Sequence, residues 1–134
     1  MAYTFDYKLL EGKVALVHGA SSGVGHASAL AHARAGAKVM CVARNEERLK
    51  DVVAEIQELG GEAAYCMAEI ANEEQIEAMV AKTVETFGRI DCVHVTTGFH
   101  SDPYPIQDFP ADILQRSLDL NFIGQAYIVK HVGR

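Results

Sequence analysis

Gly19-Ala20-Ser21-Ser22-Gly23-Val24-Gly25 is the stretch whose reading decides the fold. An apolar run, Val14-Ala15-Leu16-Val17, precedes it, and an alanine-rich segment, Ala27 to Ala35, follows. The order is strand, tight turn, helix. Glycines let a backbone come close to a pyrophosphate. A helix opening directly on the turn presents unpaired N–H groups and a partial positive charge to the same anion. A dinucleotide is therefore the first partner the turn implies.

Outward from the turn the chain alternates strand and helix. Lys13–His18 reads as the first strand and Gly23–Ala35 as a small-residue helix able to lie close to a sheet. Ala37–Ala43 is nearly all apolar, as a strand buried on both faces should be. Asn45 caps a second helix, in which Leu49, Val52, Val53, Ile56 and Leu59 recur on one face and Gly60 ends the pattern. Glu62–Met67 is a short third strand. Asn72 and Gln75 read as a capping-box pair before a helix striped by Ile76, Met79, Val80, Val84 and Phe87 and closed by Gly88. Ile90–Thr96 is a fourth strand, Thr97–Pro110 a proline-rich loop, and a last helix runs from about Ala111 to the end. Helices between successive strands imply parallel pairing and a Rossmann-like α/β fold: three layers, helices on both faces of a sheet in the order 3-2-1-4.

Composition narrows the function. The chain has 134 residues, 49% of them hydrophobic, enough for one domain spanning 1–134. Its formal charge of −6 argues against a nucleic-acid partner. No apolar run approaches the roughly 20 residues of a membrane span, and the amino end lacks a signal-peptide pattern. Cys41, Cys66 and Cys92 are an odd count, each inside a strand, which fits reduced core thiols and a cytoplasmic location. Of the six histidines, His18, His26 and His94 can come near the turn, but no pair has ligand spacing, so no metal site is expected.

The spacing Gly-x-x-x-Gly-x-Gly, preceded by Gly12-Lys13-Val14-Ala15-Leu16-Val17, resembles that of the short-chain dehydrogenase/reductase family. Gly36-Ala37-Lys38-Val39, Phe87-Gly88-Arg89-Ile90-Asp91 and Leu118-Asp119-Leu120-Asn121 with Gly124 extend the resemblance along the whole chain. It implies hydride transfer between a nicotinamide cofactor and an alcohol or carbonyl carbon. It also implies cofactor contacts from Gly19, Ser21, Ser22, Gly23, Val24 and Gly25 in the turn, Arg44 after the second strand, Glu69 and Ile70 after the third, and Thr96, Thr97 and Gly98 at the end of the fourth. Asn121 matches the asparagine of the family's proton relay. The family's serine and Tyr-x-x-x-Lys lie beyond Arg134, and none of Tyr3, Tyr7, Tyr65, Tyr104 and Tyr127 replaces that tyrosine. The chain stops mid-pattern and is expected to be the cofactor-binding portion of a longer product, inactive alone. The alternative is a non-catalytic dinucleotide-binding or dimerisation module. In the family the last helix pairs with its copy, so a homo-oligomer is expected.

Three positions depart from the family pattern. His18 stands where the family has a threonine that ties the first strand to the fourth. Val95-Thr96-Thr97 replaces Asn-Asn-Ala, so the amides that brace the sheet are expected to be lost. Glu69 replaces the aspartate that meets the adenine amine. Ala43 then Arg44 places a guanidinium, rather than a carboxylate, where the ribose lies, which favours NADP(H) over NAD(H). The turn itself lacks the additional basic residue of many NADP-using relatives.

Overall fold

The computed structural model describes residues 8–133. Tyr3 and Tyr7, and the final residue of the last predicted helix, Arg134, lie outside them.

Four strands, β1 Val14–His18, β2 Lys38–Ala43, β3 Ala63–Met67 and β4 Cys92–Val95, form one parallel sheet in the order β3-β2-β1-β4. β1 and β2 are central, and their side chains on both faces are buried, which is why they read as unbroken apolar runs. Helices α1 Gly23–Arg34 and α2 Glu46–Glu58 cover one face over Val17, Val39, Cys41, Leu49 and Ile56. Helices α3 Glu73–Phe87 and α5 Gly124–Val132 cover the other over Leu16, Met40, Val42, Ile76 and Ile128. The result is the three-layer arrangement and strand order expected from the sequence.

Small residues set the closeness of the first layer. The buried positions of α1 are Gly25, Ala29 and Ala33, one per turn, so the helix axis can approach the sheet. A Cβ on Gly25 would collide with the Gly19 carbonyl, so nothing larger than glycine fits there. β4 is shorter than predicted at both ends, and Asp91 stands just before it. Its carboxylate accepts the Val14 N–H at 2.9 Å, and its own N–H reaches the Val14 carbonyl at 2.9 Å. The Val14 N–H that the carboxylate accepts, together with Arg89 beside it, holds the Asp91 carboxyl below the usual range.

The last predicted helix is not uniform. α4 Ala111–Leu118 passes into a π-helical turn, Asp119–Ile123, before α5 begins at Gly124. Apolar spacing continues smoothly across this junction, so the extra residue leaves no mark in the sequence pattern. Such turns occur often at functional sites. The three cysteines stand in β2, β3 and β4 as free thiols. Burial pushes the Cys41 thiol up to about 12 and the Cys66 thiol up to about 11, so neither is a nucleophile at neutral pH. Among the described residues no helix is long and apolar enough to cross a membrane.

Candidate functional site

In a parallel sheet all carboxyl ends of the strands fall on one edge, and each strand delivers its next loop there. A crevice of about 850 Å3 runs along this edge. Its floor is the turn, with Gly19, Ser21, Ser22, Gly23, Val24 and Gly25 all on its wall. Arg44, Glu69 and Ile70 line the β2–β3 side. Thr96, Thr97 and Gly98 line the β4 side. The structure thus brings together every crevice residue singled out in the sequence and adds His18, Ala43, Asn45 and Arg48.

The crevice is built to receive an anion. Ser22 is the N-cap of α1 in an extended conformation, and its side chain makes no capping bond. By contrast, Asn45 Oδ1 accepts the Arg48 N–H at 3.0 Å on α2, and Asn72 Oδ1 accepts the Gln75 N–H at 3.1 Å on α3. Among the described residues no side chain caps α1, and its first turn lines the crevice. Gly19, at φ +96°, turns the chain from β1 toward the helix, and a Cβ there would strike the Thr96 hydroxyl.

The β4 side keeps its bracing by another means than the amides expected to be missing. Thr96 donates its amide N–H and its hydroxyl to the His18 carbonyl, at 2.9 and 3.1 Å. Thr97 Oγ1 lies 2.7 Å from His18 Nδ1. Two hydroxyls and an imidazole thus tie β1 to β4. His18 is only 2% exposed, and its Nε2 is buried with no hydrogen-bond partner among the described residues. Burial pushes its pKa down to about 4, so the ring is neutral at physiological pH and brings no charge to the crevice.

At the other end, Arg44 Nη1 stands 3.6 Å from Glu69 Oε2, across the mouth of the crevice. The reciprocal half of the expected capping box does not form. Asn72 N–H is already bonded to the Glu69 carbonyl at 3.0 Å, and Gln75 Oε1 instead accepts the Glu69 N–H at 2.8 Å. Gln75 was therefore missed as a residue that positions the site. Its capping spacing was visible, but the direction of its side chain depends on a turn that the sequence does not announce.

Asn121 does not line the crevice. It sits in the π-helical turn behind Gly98, and its amide grips Phe99 with both ends. Oδ1 accepts the Phe99 N–H at 2.7 Å, Nδ2 donates to the Phe99 carbonyl at 2.8 Å, and Ser117 Oγ lies 3.2 Å away. Arg116 stacks on the Phe99 ring, 4.7 Å from its centroid. The start of the long loop is thus anchored to the helix. His26 pairs with Glu55 at 2.7 Å, and His94 meets His32 edge to face. Among the described residues, no three His, Cys, Asp or Glu side chains converge as metal ligands would.

Known proteins share this arrangement. The family model for short chain dehydrogenases matches residues 13–134. Short chain dehydrogenase/reductase astE of Aspergillus oryzae is 35% identical over 122 residues, 90% of this chain and 47% of that protein. The L-rhamnose 1-dehydrogenase (NAD(P)(+)) of a Sphingomonas species is 37% identical over 127 residues, 92% of this chain and 48% of that protein. A solved short-chain type dehydrogenase/reductase from Mycobacterium ulcerans superposes with a TM-score of 0.88 at 31% identity, covering 93% of this chain and 46% of that one. The chain spans about half the length of the curated relatives it matches. With the glycine turn, the parallel 3-2-1-4 sheet and this match in hand, the chain belongs to the short-chain dehydrogenase family, whose members bind nicotinamide dinucleotides.

Proposed function

We propose that residues 1–134 act as one dinucleotide-binding unit of a cytoplasmic short-chain oxidoreductase, and that its cofactor is NADP(H) in preference to NAD(H). The observation that carries this reading is the uncapped start of α1 on the floor of a crevice whose closest approach demands Gly19 and Gly25. The diphosphate lies against those free N–H groups, which leaves the Ser21 and Ser22 hydroxyls for the 2′-phosphate. Ile70 and Gly98 border the slot for the flat rings, and Glu69 accepts the adenine amine. Thr96 and Thr97 hold the β4 wall in place, and Val24 sits beside the diphosphate. Arg44 pairs with the 2′-phosphate, for which an unopposed acid at that position would be repulsive.

The bound nicotinamide supplies hydride chemistry toward an alcohol or carbonyl substrate. This chain's own residues bind and orient. The relay role that its motif implies for Asn121 is, in this reading, an indirect one. Because its amide is committed to Phe99, the side chain acts on the reaction by fixing the loop that starts there. Proton transfer itself falls to the serine and Tyr-x-x-x-Lys that the family places after the matched segment. Homo-oligomers form through the last helix, and a small alcohol or carbonyl compound is the substrate partner.

Titrating NADPH and NADH against the chain by cofactor fluorescence tests the reading. Binding in the micromolar range, tighter for NADPH, is the expected result. Arg44→Asp should weaken NADPH about tenfold or more, the scale of a lost charge-assisted phosphate contact, and relatively favour NADH. An unchanged preference removes the cofactor assignment. A second reading, a non-catalytic binding or dimerisation module, is favoured by one observation: Leu118, Phe122 and Val129 stand exposed along the helix that carries Asn121. Dinucleotide binding without carbonyl reduction in the native product would select it.

A further inference from the structure

We propose that Arg48 is the second cation of a 2′-phosphate subsite and a determinant of cofactor specificity, an inference that rests on the dinucleotide reading above. A hollow of about 380 Å3 adjoins the crevice, and the two share Ser21, Ser22, Gly23 and Arg48 on their walls. These four residues mark the junction of the two spaces. Two serines and an arginine line that junction, and their hydroxyls and guanidinium are the kind of donors a phosphate dianion requires.

Arg48 is available in a way Arg44 is not. Arg44 lies 3.6 Å from the Glu69 carboxylate, so part of its charge is already answered. Arg48 forms no ion pair among the described residues. Its backbone is fixed, because Asn45 Oδ1 accepts its N–H and the adjacent Leu49 is fully buried. The glycine turn carries no basic residue of its own. Arg48 supplies from α2 the charge that the turn lacks.

The acids of the hollow decide how far a phosphate enters. Asp51 and Glu55 line it beyond the junction. Glu55 is held by His26 Nε2 at 2.7 Å, whereas Asp51 makes no ion pair among the described residues. A dianion is therefore kept at the junction, between Arg48 and the serines, and does not pass deeper. Arg44 closes the outer side once its bond to Glu69 opens.

Calorimetric titration of the chain with NADPH, NADH, adenosine 2′,5′-bisphosphate and 5′-AMP tests the assignment. Arg48→Gln should weaken NADPH and the bisphosphate about tenfold or more, while NADH and 5′-AMP stay within about twofold. Asp51→Asn should act in the opposite sense and tighten NADPH about twofold by removing a repulsive charge. Arg48→Lys should fall between wild type and Arg48→Gln, because it keeps the charge without the planar fork. Equal changes for NADPH and NADH in Arg48→Gln, with an unaltered circular dichroism melt, overturn the proposal and leave the dinucleotide reading standing. Wild-type chain that binds neither dinucleotide overturns both, and shows this before any variant is made.

Discussion

At the scale of single residues, His18 is the most consequential departure from the expected pattern. A threonine there would offer one hydroxyl. The imidazole offers one bonded nitrogen, toward Thr97, and one buried nitrogen without a hydrogen-bond partner among the described residues. Its pKa is pushed down to about 4 by burial, against an ordinary histidine value near 6.5 in the unfolded chain. The sign of the pH effect follows. Below about 6.5 the unfolded chain takes up a proton that the folded chain refuses, so stability is fully present above that pH and falls as the pH drops toward 4. The loss between pH 7 and pH 5 is about 2 kcal/mol for a shift of this size. His18→Thr should flatten that part of the curve, read from urea midpoints at intervals of pH. Most carboxylates titrate below this window, so an unchanged slope between pH 7 and 5 would show that His18 is not held neutral by the fold. That His18 would touch the β4 end was legible, because it occupies the last position of a strand beside the turn. That Thr96 and Thr97 would replace the missing amides was not. A hydroxyl reaches a carbonyl only when the backbone spacing is right, and no single-residue pattern records that spacing.

At the scale of elements, the sequence spoke clearly wherever a period or a cap was at stake. The Leu49, Val52 and Ile56 stripe faces the core, and Asn45 and Asn72 cap where their positions said they would. Elements became unreadable where one side chain had two partners to choose from. Gln75 takes the Glu69 N–H because the turn from Glu69 to Asn72 has already used the alternative donor. The π-helical turn is likewise silent in the sequence, since Leu118, Phe122 and Val129, at steps of four and seven, keep a helical rhythm through it. These details set the stability of α3 and, through it, the position of Glu69. Asn72→Ala should cost about 1 kcal/mol by leaving first-turn donors of α3 without their cap. It should also loosen the corner that carries Glu69, so NADPH and NADH should weaken together, by a few-fold at most. Thermal denaturation and parallel titrations check both parts. The whole loss of about 1 kcal/mol with no change in either affinity would separate the cap from the site.

At the scale of the whole molecule, the acidic surface and the crevice pull in different directions. The chain carries a formal charge of −6, yet its two arginines at the crevice, Arg44 and Arg48, stand where an anionic ligand would enter. A second asymmetry lies on the far side of Asn121. Leu118, Phe122 and Val129 are 48%, 66% and 73% exposed, and together they form a stripe along the helix that packs on α3. Pairing two such stripes would remove a few hundred Å2 of apolar surface from water, worth several kcal/mol at about 25 cal/mol per Å2. Association itself costs at least about 4 kcal/mol in lost freedom of motion. The two terms are of similar size, so the pairing proposed for the last helix is expected to be a weak dimer that forms with rising concentration. Phe122, the most exposed aromatic of the stripe, is the residue on which that balance turns. Sedimentation of the wild-type chain across micromolar to hundred-micromolar concentrations should show a rising dimer fraction. Phe122→Glu should return it to monomer, because two desolvated carboxylates would face each other in the pair. NADPH affinity should be unchanged in that variant, since Phe122 does not line the crevice. A wild-type chain that stays monomeric throughout, or a Phe122→Glu chain that dimerises equally well, would remove the last helix as the contact.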